Sequence, residues 1–165
     1  MPVIQFNNPN RDKAKVSSYS IQVLEDIMSR SAISTLTVTS TARTPQEQAK
    51  VMFDNLELHG ITQQKKLYGK FGDRVIDEYS ALKQQGKSDI EIIVGMTNKI
   101  LSIGPSKVSS HAGDPTKINV VDIAPSSIPA AKRPSFEMSV KSDQRVSRFF
   151  LPPKDPAYHI EIPQP

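Results

Sequence analysis

The chain contains no cysteine. That absence removes disulfides, thiol nucleophiles, iron–sulfur clusters and cysteine-ligated zinc together, so any metal has to be held by histidine or carboxylate. Histidine is itself scarce, with only His59, His111 and His159. Aromatic residues make up 6%, and no aromatic RNA-binding motif is present, which argues against nucleic acid as a partner. No apolar stretch approaches the length of a membrane span. The opening MPVIQFNNPNRDKAK lacks the apolar core of a secretory signal. The expectation is a chain made in the cytoplasm, which reaches the periplasm or cell wall only by delivery.

What is present is an ordinary globular balance. A length of 165 residues suits one domain with a single core, and 37% hydrophobic against 23% charged residues is enough to build it. The formal net charge of +4 favours anionic surfaces such as cell-wall polymers, nucleic acid or lipid headgroups without choosing among them.

Residues 1–15 read as an extended polar lead-in. From Val16 to Arg30 the residues Val16, Tyr19, Val23, Leu24, Ile27 and Met28 recur at helical spacing. Ile33 to Ser40 alternates as a strand. Thr44, Pro45 and Glu47 then read as cap, first helical position and capping-box partner of a helix that Gly60 ends. Phe71 to Gln85 is helical by its apolar spacing, and Ser88 with Glu91 caps a further helix that stops at Gly104. Beyond Gly104-Pro105 the pattern predicts strands over Lys107–His111 and Ile118–Ile123, a strand over Ser135–Val140, a short helix over Ser142–Phe150 and a closing strand, Tyr158–Ile162. Helices first and a small sheet last make an α+β chain.

Three segments carry chemistry-bearing residues: STARTPQEQ at 40–48, SSHAGDPTKINVVDIAP at 109–125 and DPAYHIEIP at 155–163. In that order they resemble the M15-type zinc peptidases, the D-Ala-D-Ala carboxypeptidases and dipeptidases and the L-Ala-D-Glu endolysin peptidases. The patterns of that family are S-G-Y-R-S-x-x-x-Q, S-x-H-x-x-G-x-A-x-D-I and E/D-x-x-H-x-E. The resemblance covers residues 33–48 and 107–163. It implies N-terminal helices on a mainly antiparallel C-terminal sheet that carries a zinc site, within one zinc peptidase domain over 16–165.

By the same resemblance His111, Asp122 and His159 are the zinc ligands, each on a predicted strand. A catalytic zinc takes three such ligands and keeps a fourth position for water. Arg43 is implied to stabilise negative charge on the scissile carbonyl or to hold a substrate carboxylate, a role suited to a permanently charged, forked donor. Gln48 and Ser109 match substrate-binding positions. Two departures leave alternatives open. Asp122 follows His111 by eleven residues where the family has six or seven, so Asp114 is a rival ligand. Pro156 occupies the family's general-base position, which leaves Asp155 and Glu161 as candidates. The Gly-Tyr before the family arginine is Thr41-Ala42 here.

The implied activity is hydrolysis of peptidoglycan stem peptides or cross-links. The substrate would be a cell-wall peptide, and a dedicated inhibitor or immunity protein is a further partner if the chain is a delivered antibacterial toxin. A non-catalytic zinc-containing binding module of the same fold, as in hedgehog-like domains, is the alternative. Lysostaphin-type enzymes are excluded, since Ala157 stands where their H-x-H motif needs histidine. His59, at a helix end, reads as a cap on the helix dipole.

Overall fold

Strand and helix formation follows the periodicity of the apolar residues, and the chain divides into two compact units, one discontinuous and one continuous. The computed structural model describes all residues, Met1 to Pro165. No helix is long and apolar enough to cross a membrane.

The first unit comprises Met1–Ala42 and Asp114–Pro165. Its strands are β1 (Val3–Phe6), β2 (Thr35–Ser40), β3 (Ile118–Ile123), β4 (Arg148–Phe150) and β5 (Tyr158–Pro163). They lie in the order β1-β2-β3-β5-β4. β1 runs parallel to β2 and the other three pairings are antiparallel. The unit also holds a short helix α1 (Pro9–Asp12), the longer α2 (Ser18–Arg30), and the helix Arg133–Lys141. Ser17 caps α2 by accepting from the Ser20 N–H.

Alternation in the central strands decides the two faces of the sheet. Val121 and Ile123 of β3 and Tyr158, Ile160 and Ile162 of β5 join Leu24, Ile27 and Met28 of α2 and Phe136 and Val140 in one buried cluster. Their neighbours in sequence, Asp122, His159 and Glu161, therefore face the other way.

The second unit is Arg43–Gly113. It contains α3 (Pro45–His59), α4 (Ile61–Lys65), α5 (Lys70–Gln84), α6 (Asp89–Ile103) and α7 (Pro105–Val108), which makes Arg133–Lys141 α8 in chain order. Thr44 accepts from the Glu47 N–H at the start of α3. Gly60 ends that helix with a φ of 82°, a left-handed value that a residue with a Cβ adopts only under strain. Ser88 and Glu91 form a complete capping box on α6. Met52, Phe53 and Leu56 of α3, Val75, Ile76 and Tyr79 of α5, and Ile92, Met96 and Ile100 of α6 make this unit's core.

The α+β class holds, and the structure changes five details of the sequence-based reading. The sheet is mixed, and β1 and β2 come from the first forty residues, so the sheet is not confined to the C-terminal part. Lys107–His111 is not a strand: Pro105 opens a helical turn, and Ser110–Ala112 forms a 3₁₀ turn carrying His111. Ser135–Val140 is helical within α8, because Phe136, Ser139 and Val140 satisfy a helical stripe while Met138 is exposed. Ser142–Phe150 is not a helix: Asp143 nucleates a turn through the Arg145 N–H, and β4 follows. Part of the polar lead-in is structured, as β1 and α1.

One ion cluster ties α2 to the segment after α8. The Asp143 carboxylate is buried and accepts from Arg145 Nε and Nη2 and from Arg30 Nη2, while Arg145 Nη1 reaches Asp26 at 2.8 Å. Hydrogen bonds from Arg145 outweigh the cost of burial and, with Arg30, hold the Asp143 carboxyl well below the usual carboxylate range. Asp143→Asn is expected to lower stability by about 1–3 kcal/mol, as two half-exposed guanidinium groups lose their shared acceptor. A group with a depressed folded pKa contributes in full above its unfolded value, near 3.8, and loses that contribution as pH falls below it. The difference between wild type and variant in urea melts should therefore be constant near neutrality and shrink below about pH 4.

Candidate functional site

In the first unit the pairing of β3 with β5 sets Asp122 directly opposite His159, and Val120 opposite Glu161. Residues opposite one another in an antiparallel pair project to the same face. Asp122, His159 and Glu161 are accordingly neighbours. His159 Nδ1 lies 3.0 Å from Asp122 Oδ1, and His159 Nε2 lies 3.0 Å from Glu161 Oε1. His159 and Glu161 are both buried, at 6% and 5% exposure.

Both ring nitrogens of His159 thus meet a carboxylate. Burial by itself lowers the imidazole's proton affinity. The hydrogen bonds to Asp122 and Glu161 and their charges overcome it and push the pKa up to about 9. Two carboxylates around one buried imidazole create a locus of negative potential that attracts a cation, whether a proton or a metal ion.

The edge strand β4 adds to this face. Phe150 pairs in register with His159, and their ring centroids are 5.6 Å apart at 31°. The Arg148 guanidinium lies 3.9 Å from Glu161. Thr39 at the end of β2 donates its hydroxyl to the Asp122 carbonyl at 3.3 Å. Thr41 donates its hydroxyl to the buried Asp12 at 2.7 Å.

The second unit carries a separate polar chain. The Arg43 N–H donates to the His111 carbonyl at 2.6 Å. Arg43 Nη1 donates to Gln48 Oε1 at 3.2 Å, and Gln48 Nε2 donates to the Tyr68 hydroxyl at 3.3 Å. Gln48 is fully buried, so this chain fixes the guanidinium from behind. Burial raises the Tyr68 pKa, with the nearby Arg43 charge opposing, and the phenol stays protonated. His111 is buried on its 3₁₀ turn.

The remaining sequence candidates have other tasks or stand apart. Asp114 is exposed and closes a turn, accepting from Thr116 N–H at 2.9 Å and Thr116 Oγ1 at 2.7 Å. These bonds, with a smaller contribution from the Lys117 charge, lower its pKa, and they account for it without a ligand role. Asp155 is half-buried in the loop entering β5, and its Oδ1 accepts from the Ala157 N–H at 2.9 Å. It makes no hydrogen bond to Asp122, His159 or Glu161. Ser109 follows α7 and accepts the Ala112 N–H on its carbonyl. His59 is the last residue of α3 and is exposed.

Two residues on these faces were not singled out from sequence. Phe150 directly follows another phenylalanine, and nothing in that pair sets it apart from core. Tyr68 lies in a stretch without periodicity, and its contact with Gln48 spans twenty residues of chain.

Tyr68 depends on Gly72. A Cβ at position 72 would fall 2.5 Å from Tyr68 Cβ and 2.7 Å from its ring. Alanine for a helical glycine ordinarily stabilises by up to about 1 kcal/mol, but the overlap here is with atoms that cannot swing aside. Gly72→Ala is therefore expected to destabilise by about 1–3 kcal/mol and to release the Tyr68 hydroxyl from Gln48, read by thermal melting and by the tyrosine ring resonances.

Compared with protein-family models, with curated proteins and with solved structures, the chain matches none of them.

Proposed function

We propose that the chain is a zinc-dependent peptidase that hydrolyses peptidoglycan stem peptides or their cross-links, with His111, Asp122 and His159 as the metal ligands. The observation that supports it is the donor set. Asp122 and His159 face one another across β3 and β5, with His159 Nδ1 3.0 Å from Asp122 Oδ1, and His111 is the third ligand that the resemblance implies. Two imidazoles and one carboxylate, with no thiolate, suit a zinc ion that keeps one position open. The two acidic groups around His159 supply the negative charge that a divalent cation would offset. When bound, such an ion supplies Lewis-acid chemistry and acidifies a water molecule.

The chain's own residues have distinct tasks in this reading. Glu161 holds the His159 ring at Nε2, which leaves Nδ1 on the side of Asp122; a carboxylate behind a ligating histidine fixes its tautomer and orientation. Asp155 moves the proton. Its Oδ1 is used by the turn, its Oδ2 has no partner, and it stands in the loop that leads directly to His159. Arg43, braced by Gln48, offers forked donors to a carbonyl oxygen that gains negative charge or to a substrate carboxylate. Ser109 is placed by resemblance alone among the substrate-binding residues.

Calorimetric titration with zinc is expected to show one equivalent bound and His159→Ala to abolish it. Glu161→Gln should weaken zinc binding by about 10–100-fold. Asp155→Asn should leave zinc affinity unchanged and slow hydrolysis by about 10²–10⁴-fold. Activity is read by mass spectrometry of muropeptides with and without chelator. Intact muropeptides after incubation with zinc-loaded wild type would overturn the peptidase reading and favour a zinc-containing binding module.

A further inference from the structure

Beyond the residues just assigned, the same face of the first unit carries two cations that the proposed chemistry does not use. Arg148 and Phe150 stand opposite Glu161 and His159 in the β4–β5 register, so their side chains share the face of the candidate ligands. Lys154, in the loop between those strands, places its ammonium 4.4 Å from the centroid of the Phe150 ring. The Arg148 guanidinium approaches the same ring at 6.0 Å. Phe150 is thus flanked by two positive charges and abuts His159.

Neither cation is hydrogen-bonded to a carboxylate, although Arg148 makes a long ion pair with Glu161. Arg148 is 60% exposed and 3.9 Å from Glu161, too far for a hydrogen bond, and that carboxylate is already bonded to His159. Lys154 is exposed and has no carboxylate partner. A cation over an aromatic face gains only about 0.5–1 kcal/mol at such a site, which leaves its charge free to act outward. The loop that carries it is stiff: Pro152 and Pro153 precede it, Asp155 follows in its turn with Ala157, and the Asp155 N–H bonds the Leu151 carbonyl at 3.3 Å. Charged residues on an edge strand discourage edge-to-edge pairing. That explanation covers Arg148 but not Lys154, which lies beyond the strand.

We propose that Arg148 and Lys154, arranged around Phe150, form a subsite for a carboxylate of the substrate, so that the chain selects acidic peptides. Phe150 covers the apolar part of the bound residue while the two cations take its acid group. The choice of peptide as the substrate rests on the peptidase reading; the preference for an anion rests on β4 and its loop alone.

The test compares two stem-peptide analogues, one with a free glutamyl α-carboxylate and one with that group as the amide. Binding is followed by NMR titration of the purified chain, with and without zinc, and hydrolysis is followed in parallel. The acid is expected to bind about 3–10-fold more tightly than the amide, and the preference to vanish in Arg148→Gln/Lys154→Gln. Lys154→Gln alone, in an exposed loop, should remove part of it even if the double variant is poorly folded. Equal affinity for the two peptides, or a preference that survives both substitutions, overturns the subsite. Discrimination without hydrolysis of either peptide would leave the subsite standing and remove the peptidase reading.

Discussion

The antiparallel register between β3 and β5 is the constraint on which the rest depends. Because side chains alternate along a strand, putting Tyr158, Ile160 and Ile162 into the core obliges His159 and Glu161 to share the opposite face. The same rule applied to β3 puts Asp122 there as soon as Val121 and Ile123 are buried. A slip by one residue would send three acidic or basic groups into the apolar cluster. The hydrophobic core therefore positions the polar site at no additional cost in ordering, since one choice of register satisfies both.

Electrostatics then explains why that face is suited to a cation. Asp122 and Glu161 are each within 3.0 Å of an imidazole nitrogen, and burial of Glu161 and part-burial of Asp122 limit the water that would otherwise disperse their charge. An arrangement of this kind retains a proton or a metal ion because removing the cation leaves two carboxylates facing each other across a neutral ring. The second unit treats its charge differently. Gln48, buried and bonded on both sides to Arg43 and Tyr68, restrains the guanidinium from behind.

Much of this was legible in the sequence where periodicity and caps agreed. α2, α3, α5 and α6 each show a helical apolar stripe, and three of them are opened by serine or threonine caps; β2, β3 and β5 show alternation. The segments misread are those where two periods coincide or where a turn outweighs propensity. Phe136, Met138 and Val140 fit a strand by alternation, but Phe136 and Val140 are also four apart, and the helix wins because Met138 can be left in solvent. His111 was placed on a strand, whereas Pro105 starts a helical turn that is followed by a 3₁₀ turn. Asp114 and Asp122 could not be separated by spacing; the Thr116 hydrogen bonds that occupy Asp114 come from the turn that GDPTK builds. Phe150, Tyr68 and Lys154 had no signal in sequence, since their significance comes from a ring, an amide or a cation brought near by the fold.

The way the two units are threaded has a consequence for how the chain reaches its native state. The helical unit is one uninterrupted stretch, Arg43–Gly113, and its contacts are comparatively local. The sheet-bearing unit is split around it, so Val38 on β2 cannot meet Ile123 on β3 until the entire intervening unit has been made. β5, whose register aligns the polar face, belongs to the last few residues of the chain. The edge of β2 that β3 covers therefore has no partner until that stretch has been made. The polar face exists only once β5 has paired along both its edges, with β3 on one side and β4 on the other.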